Sequence, residues 1–371
     1  MDYMEQALSL ARLALGQVSP NPAVGAAVVK NDVVVGQGYT RVPGSSHAEI
    51  VALEQAGEAA RGSKMYVTLE PCCHHGRTPP CSQAIITAGV TEVHMAMLDP
   101  NPLVSGKGKE ELGEAGIKTF VGEHIKEAES INEAYTRFIT TGLPFITAKV
   151  AMSLDGKIAT RSGDSRWISS PEARQYVHSL RSRSDAIMVG ANTVISDNPQ
   201  LTARCCGGRG GVVKKQPLRV IVDGEGRTPL TARVFAEPGE TLVVLGREAG
   251  GEEEKAYNKA GAGLLELPSG GCYIDLTRLL EALGERQITS ILVEGGSGLL
   301  GSLFDQGLVD KVIVFIAPII IGGEAAKTAV GGRGVARVID SLKIENITEE
   351  RFGQDIMITG YIGGRECSPE L

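Results

Sequence analysis

The chain has 371 residues, room for roughly two domains at about 100 to 200 residues each. Apolar residues at 42% and charged residues at 22% are globular values, which exclude a disordered or fibrous chain. With 37 basic against 44 acidic residues the net charge is -7, so no overall basic field exists to hold nucleic acid or an anionic membrane, and any phosphate must be met by a local site.

In chain order, Met4, Ala7, Leu8, Ala11 and Leu15 form a helical stripe that stops at Gly16 and the Pro20-Asn21-Pro22 turn. Strand-like runs at Ala23 to Lys30 and Val33 to Gly38 flank Asn31-Asp32 and predict a hairpin. Helix and strand then alternate: helix from Ala48 to about Ala56, strand at Met65 to Leu69, helix from Ser82 to Ala88. A strand at Glu92 to Leu98, a helix near Lys109 to Ala115, a strand at Lys118 to Val121 and a helix from Ile125 to Ile139 complete the first half. Thr140-Thr141-Gly142-Leu143-Pro144 is the clearest break, so a first domain is expected over 1–144 and a second over 145–371. The second half restarts with strands at Phe145 to Ala151, Ala186 to Val189, Arg219 to Val222, Thr241 to Leu245, Ser290 to Glu294 and Lys311 to Ile316. Helices are expected at Pro171 to Ser182 and Leu276 to Glu285, giving two α/β domains. Cys205 to Lys215 and the acidic Gly250 to Glu254 read as surface loops.

No apolar run reaches the ~18 residues of a membrane-spanning helix, and the first residues lack the basic region of a signal peptide, so a cytoplasmic protein is expected. The seven cysteines are odd in number and grouped as Cys72, Cys73, Cys81 and Cys205, Cys206, with Cys272 and Cys367 apart. This spacing favours metal ligands or free thiols over a secreted disulfide framework; Cys205 and Cys206, without a nearby histidine, read as free thiols.

His47-Ala48-Glu49 opens a helix, Pro71-Cys72 follows a strand, and Cys81 comes after an eight-residue gap. One imidazole and two thiolates supply three zinc ligands and leave a fourth position open, the arrangement of a catalytic site. Glu49 is placed to carry protons without being a ligand, the division of labour of hydrolytic deamination. Taken singly, a His at a helix start is more often a capping residue and a Cys at a strand end a buried hydrophobe; it is their order that points to zinc. Cys73, His74 and His75 lie inside the gap as rival ligands.

The segment from Glu70 to Cys81, EPCCHHGRTPPC, together with His47-Ala48-Glu49 and Pro20-Asn21-Pro22-Ala23-Val24-Gly25, resembles the deaminase half of the bifunctional riboflavin-biosynthesis deaminase/reductases. The resemblance implies a cytidine-deaminase-like three-layer α/β/α sandwich. It also implies zinc on His47, Cys72 and Cys81, Glu49 as proton shuttle, and Asn21 and the His75 to Thr78 insert facing the substrate. Where that family often has a histidine after Gly-x-Gly-Tyr, this chain has Thr40.

In the second half Gly296-x-Gly298-x-x-Gly301 follows a strand and opens a helix, where free backbone N–H groups can hold a pyrophosphate. No acidic residue stands about 20 positions on to bind a ribose hydroxyl, which favours NADPH over NAD. Lys149 to Lys157, Gly163 to Ile168, Leu180 to Ala186, Gly190 to Thr193 and Asp197 to Arg204 are similar to segments of the reductase half of the same family, whose fold resembles dihydrofolate reductase. That resemblance implies an NADPH site on Ala151, Trp167, Thr193, Asp197 and the loop Gly296, Ser297, Gly298, Leu299, Leu300, Gly301 and Ser302. It implies a phosphorylated-sugar site on Lys149, Ser165, Arg181, Leu201, Arg204 and Glu294, with Asp197 and Lys149 the candidate proton donors. A lone tryptophan is more often core than a cofactor platform, and of Arg181 and Arg183 at a helix end one is expected to serve the helix dipole; Arg183 has no counterpart in the family.

The expected function is therefore zinc-dependent deamination of a diaminopyrimidine ribosyl phosphate, then NADPH-dependent reduction of its ribosyl group to ribityl. A small phosphorylated pyrimidine is the expected ligand; no nucleic acid or membrane is expected, and exposed sheet edges make a homodimer or higher homo-oligomer plausible. The competing readings are a nucleoside or tRNA deaminase fused to an unrelated reductase, which the acidic charge disfavours, and a zinc-stabilised nucleotide sensor, which would need a fourth protein ligand.

Overall fold

The computed structural model describes residues 2–73, 80–204, 215–269 and 273–363. Their contacts separate at Gly142/Leu143 into two compact units.

The first unit opens with α1 (Tyr3–Ala14), capped by Asp2, whose carboxylate accepts the Glu5 N–H at 2.9 Å. Strands β1 (Gly25–Lys30) and β2 (Val33–Tyr39) form the expected hairpin. Asn31 and Asp32 at its tip both have positive φ, 50° and 59°, as a two-residue turn between right-twisted strands requires. Then come α2 (Ala48–Ala56), β3 (Lys64–Val67), α3 (Cys81–Ala88), β4 (Glu92–Met95), α4 (Lys107–Glu114), β5 (Lys118–Val121) and α5 (Ile125–Thr141). The sheet order is β2-β1-β3-β4-β5, with β3, β4 and β5 parallel. Two glycines of β2 determine how close α2 comes. A Cβ on Gly36 would stand 2.1 Å from the Ala52 carbonyl oxygen, and one on Gly38 2.4 Å from that of Ala48. Gly25 of β1 meets α1 in the same way, 2.0 Å from the Ala7 oxygen. Met4, Leu8, Val28, Met65, Val93 and Ile85 fill the core between these layers.

The second unit contains β6 (Phe145–Ser153), α6 (Pro171–Arg183), β7 (Ala186–Gly190), α7 (Ala191–Asp197), β8 (Leu218–Val222), α8 (Arg233–Ala236) and β9 (Thr241–Leu245). It continues through α9 (Gly251–Ala260), β10 (Ala262–Glu266), α10 (Leu276–Glu285), β11 (Ser290–Val293), α11 (Ser297–Asp305), β12 (Lys311–Ala317), β13 (Ile344–Phe352) and β14 (Asp355–Ile362). The order is β10-β9-β8-β7-β11-β6-β12-β14-β13, parallel from β10 to β12, with β14 and β13 antiparallel. Strand β9 is buried along its whole length, as helix-covered parallel strands are. Late-coming β11 inserts between β6 and β7, and such a reversal of strand order opens a crevice at the carboxyl ends of the strands.

The expected acidic loop at Gly250 to Glu254 is instead the first turn of α9. Glu252, Glu253 and Glu254 stand at the positive end of the helix, Lys259 at its negative end, and Tyr257 buries the inner face. Strands β10, β13 and β14 were not expected; β13, IENITEERF, is exposed over most of its length and carries no apolar alternation.

Arg219 of β8 is 1% exposed. Its guanidinium donates to Thr241 Oγ1 (2.9 Å) and to the carbonyls of Pro238 (2.7 Å), Glu237 (3.0 Å) and Gly239 (2.6 Å), tying β8 to the turn before β9. Arg219→Met leaves those acceptors buried without a donor, and we expect a loss of about 3 to 5 kcal/mol. Calorimetry should show the melting transition of the second unit about 10 °C lower, with that of the first unit unmoved.

Candidate active sites

In the first unit three ligand-type atoms converge. His47 Nδ1 lies 3.6 Å from Cys72 Sγ and 3.3 Å from Cys81 Sγ, and all three donors fall within 4.8 Å of one another. His47 is the N-cap of α2, Cys72 follows β3, and Cys81 is the first residue of α3. The Cys81 N–H points back to Cys72 Sγ at 3.4 Å, so the start of α3 stabilises a thiolate there. Accordingly Cys72 is pulled down to about 4 by the Cys81 thiol and the His47 ring, while Cys81 is pushed up by sharing its proton with Cys72 and by burial. Hydrogen bonding to Cys72 raises His47. One imidazole and two sulfurs are the donor set of a tetrahedral zinc site with one position left for solvent. Cys73 is not part of the cluster; among the described residues no fourth protein ligand joins it. Its rivals His74 and His75, and the His75 to Thr78 insert expected to face the substrate, lie outside the described residues, as do Cys205, Cys206, Cys272 and Cys367.

Glu49, two residues into α2, is 4% exposed, and burial next to the Cys72 thiolate pushes its carboxyl up to about 7. Asn21 stands in the turn before β1, half-buried, with its N–H on the Val18 carbonyl. The Thr40 hydroxyl is engaged locally: it accepts the Val24 N–H at 3.1 Å and lies 3.4 Å from the Val24 oxygen, holding the ends of β1 and β2 together. Glu70, two residues before Cys72 and the first residue of the EPCC motif, has a role that the motif alone does not show. Its buried carboxylate accepts the N–H groups of Asp99 (3.1 Å), Gly106 (2.9 Å) and Lys109 (2.9 Å), anchoring the ligand-bearing strand end to the start of α4. A lone Glu before Pro-Cys carries no signal for contacts 29 to 39 residues away.

The second unit has a cavity of about 1250 Å³ at the carboxyl ends of its strands. Ala151, Trp167, Thr193 and Asp197 line it, together with residues 296–302 apart from Gly301. Gly301 is a packing glycine; a Cβ there would stand 2.3 Å from the Gly331 carbonyl carbon. Trp167 is not core: it is 69% exposed, with the Arg174 guanidinium 4.5 Å from its ring centre. Asp197 accepts the Ser165 hydroxyl at 3.1 Å.

Lys149, Ser165, Arg181, Leu201, Arg204 and Glu294 line the same cavity. Leu201, at φ 52°, packs its side chain in the core near Val189 and Val194. Arg181 grips Glu294 with two hydrogen bonds, Nε to Oε1 at 2.5 Å and Nη2 to Oε2 at 2.9 Å, and Lys149 Nζ lies 4.0 Å from Oε2. Burial alone would raise Glu294, but the Arg181 charge and hydrogen bonds outweigh it and keep the carboxylate ionised; burial lowers Lys149. Arg183, in the last turn of α6, does not line the cavity. His178, Arg174 and Arg227 do, and the sequence reading named none of them.

Comparison with known proteins bears on both units. The family model for the cytidine and deoxycytidylate deaminase zinc-binding region matches residues 1–97, and that for the RibD C-terminal domain matches residues 144–358. The chain is 44% identical over 358 residues to the riboflavin biosynthesis protein RibD of Aquifex aeolicus, covering 96% of this chain and 97% of that one. The fold matches that of Acinetobacter baumannii RibD with a TM-score of 0.86 at 37% identity, over 97% of this chain and 98% of that one. It also matches a diaminohydroxyphosphoribosylaminopyrimidine deaminase/5-amino-6-(5-phosphoribosylamino)uracil reductase of Thermotoga maritima, with a TM-score of 0.82 at 34% identity and 97% of each chain covered.

Proposed function

Because this chain belongs to the RibD family of riboflavin-biosynthesis deaminase/reductases and carries both the deaminase and the reductase domain, we propose that residues 1–144 deaminate 2,5-diamino-6-(5-phosphoribosylamino)pyrimidin-4-one and residues 145–371 reduce the product. The observation that carries this reading is the convergence of His47 Nδ1, Cys72 Sγ and Cys81 Sγ, with Glu49 buried and outside that group of donors. In it His47, Cys72 and Cys81 hold zinc, which supplies Lewis acidity at the open position. Glu49 takes a proton from the attacking water and delivers it to the leaving amine, a task suited to a carboxyl whose burial brings it near neutrality. Asn21 and the His75 insert contact the pyrimidine.

In the second domain Ala151, Trp167, Thr193, Asp197 and the 296–302 loop apart from Gly301 hold NADPH, which supplies hydride. Glu294, fixed by Arg181, and Lys149 orient the sugar, and the lowered Lys149 is a proton donor suited to the opening ring oxygen. Arg204, which lines the same cavity, is the arginine this reading assigns to the phosphate.

No helix among the described residues is long and apolar enough to cross a membrane. The cytoplasm is the compartment this reading takes, on Cys72, Cys73 and Cys81, none of which is in a disulfide. A homo-oligomer is its assembly state, on the uncovered edge strand β13.

The test is NADPH oxidation by purified protein given the undeaminated pyrimidine, with and without a zinc chelator. Oxidation should need zinc, and should no longer need it once deaminated intermediate is supplied; no oxidation with either compound removes the role given to the second domain. Cys72→Ala should lose bound zinc, read by elemental analysis, and ammonia release with it, while still reducing the deaminated intermediate.

A further inference from the structure

His178 belongs to α6, one turn before Arg181, and its ring lines the same cavity. Its Nδ1 lies 3.1 Å from the Thr202 carbonyl oxygen. A carbonyl only accepts, so Nδ1 carries the hydrogen, and in the neutral ring Nε2 is then a bare acceptor. Among the described residues Nε2 has no hydrogen-bond partner, and it is not one of the buried unsatisfied atoms, so it is open to the cavity. The charged groups facing the ring are Arg181 on its own helix, Arg204 from the 198–204 loop and Glu294 after β11. Two are cations, and the third has both oxygens on Arg181. This end of the cavity is therefore rich in donors, which suit a phosphate, and poor in free acceptors, which sugar hydroxyls require.

We propose that His178 is a substrate-recognition residue of the reductase, its Nε2 accepting a hydrogen bond from a hydroxyl of the phosphorylated pentose. This rests on the reading of the cavity as the reductase site. A phosphate dianion has no proton to give to a bare nitrogen, so the partner is a hydroxyl. Burial and the Arg181 charge hold the ring below the ordinary imidazole range, so it stays neutral at pH 7. As pH falls through its pKa, Nε2 gains a proton and stops accepting, the hydrogen bond to the sugar hydroxyl is lost, and substrate KM rises.

The test uses full-length protein, the deaminated intermediate and two replacements. His178→Asn keeps a donor near the Nδ1 position for the Thr202 carbonyl and removes the acceptor; His178→Gln places an amide oxygen near the Nε2 position. Asn should raise KM for the intermediate about tenfold, Gln by no more than about twofold, with NADPH affinity unchanged in both by fluorescence titration. The rise of KM at low pH should vanish in His178→Gln. Equal impairment of Asn and Gln, a normal Asn variant, or an effect on NADPH instead of the intermediate overturns the proposal. Glu294→Gln run alongside separates the two readings: if it is impaired and His178→Asn is normal, only the inference about His178 fails. If Glu294→Gln reduces the intermediate like the parent, the cavity is not the reductase site and the inference falls with it.

Discussion

Glu49→Gln is expected to stop ammonia release, with kcat down by about 10³-fold, while zinc content and reduction of the deaminated intermediate stay at parental levels. The side chain is 4% exposed at the second position of α2, beside but not among the three metal donors. Gln keeps the volume and the neutral state that burial already favours, so packing changes little. What it loses is the ability to take a proton from water and return it to the amine, a contribution typically of 10²- to 10⁴-fold. Ammonia release, zinc per chain and NADPH oxidation measured on one preparation decide the matter. Deamination within tenfold of the parent would remove Glu49 from the chemistry; loss of both activities would show that the two units do not work independently.

The second large effect is expected from Glu294→Ala. The carboxylate's side chain is 6% exposed, held by Arg181 at 2.5 Å and faced by Lys149 at 4.0 Å. Its removal leaves two cations in a confined cavity wall without their anion, a loss of about 3 to 5 kcal/mol for a broken buried pair. Calorimetry should show the second unit melting roughly 10 °C earlier, reduction should vanish, and ammonia release should continue. A destabilised variant that still reduces the intermediate would mean that Glu294 is a structural counter-ion remote from the substrate.

The parts of this molecule that were legible in the sequence are those where chemistry restricts residue type. Only a few side chains bind zinc, so His47, Cys72 and Cys81 are visible through their order even across the unusual gap. The hairpin is visible because Asn31-Asp32 suits positive φ. Charge was the misleading signal. Glu252 to Glu254 read as solvated loop, yet acidic residues are also what the first turn of a helix selects, and α9 is that helix. Strand β13 was invisible because an exposed edge strand needs no apolar alternation. Gly301 passed for a phosphate-loop glycine because the motif does not distinguish a glycine that admits a ligand from one that admits another backbone. Thr40 and Glu70 act through backbone groups distant in sequence, and no local pattern announces such partners.

The contact of Gly36 and Gly38 with α2 sets a limit on how this enzyme can change. Helix and sheet touch there through bare backbone, so a single methyl group on either glycine is a wedge under the segment that bears both His47 and Glu49. The displacement would reach the proposed metal ligand and the proposed proton carrier together, without any altered residue touching either. A change at either of these hidden glycines is thus expected to cost the deaminase site as much as a change in the residues proposed to form it.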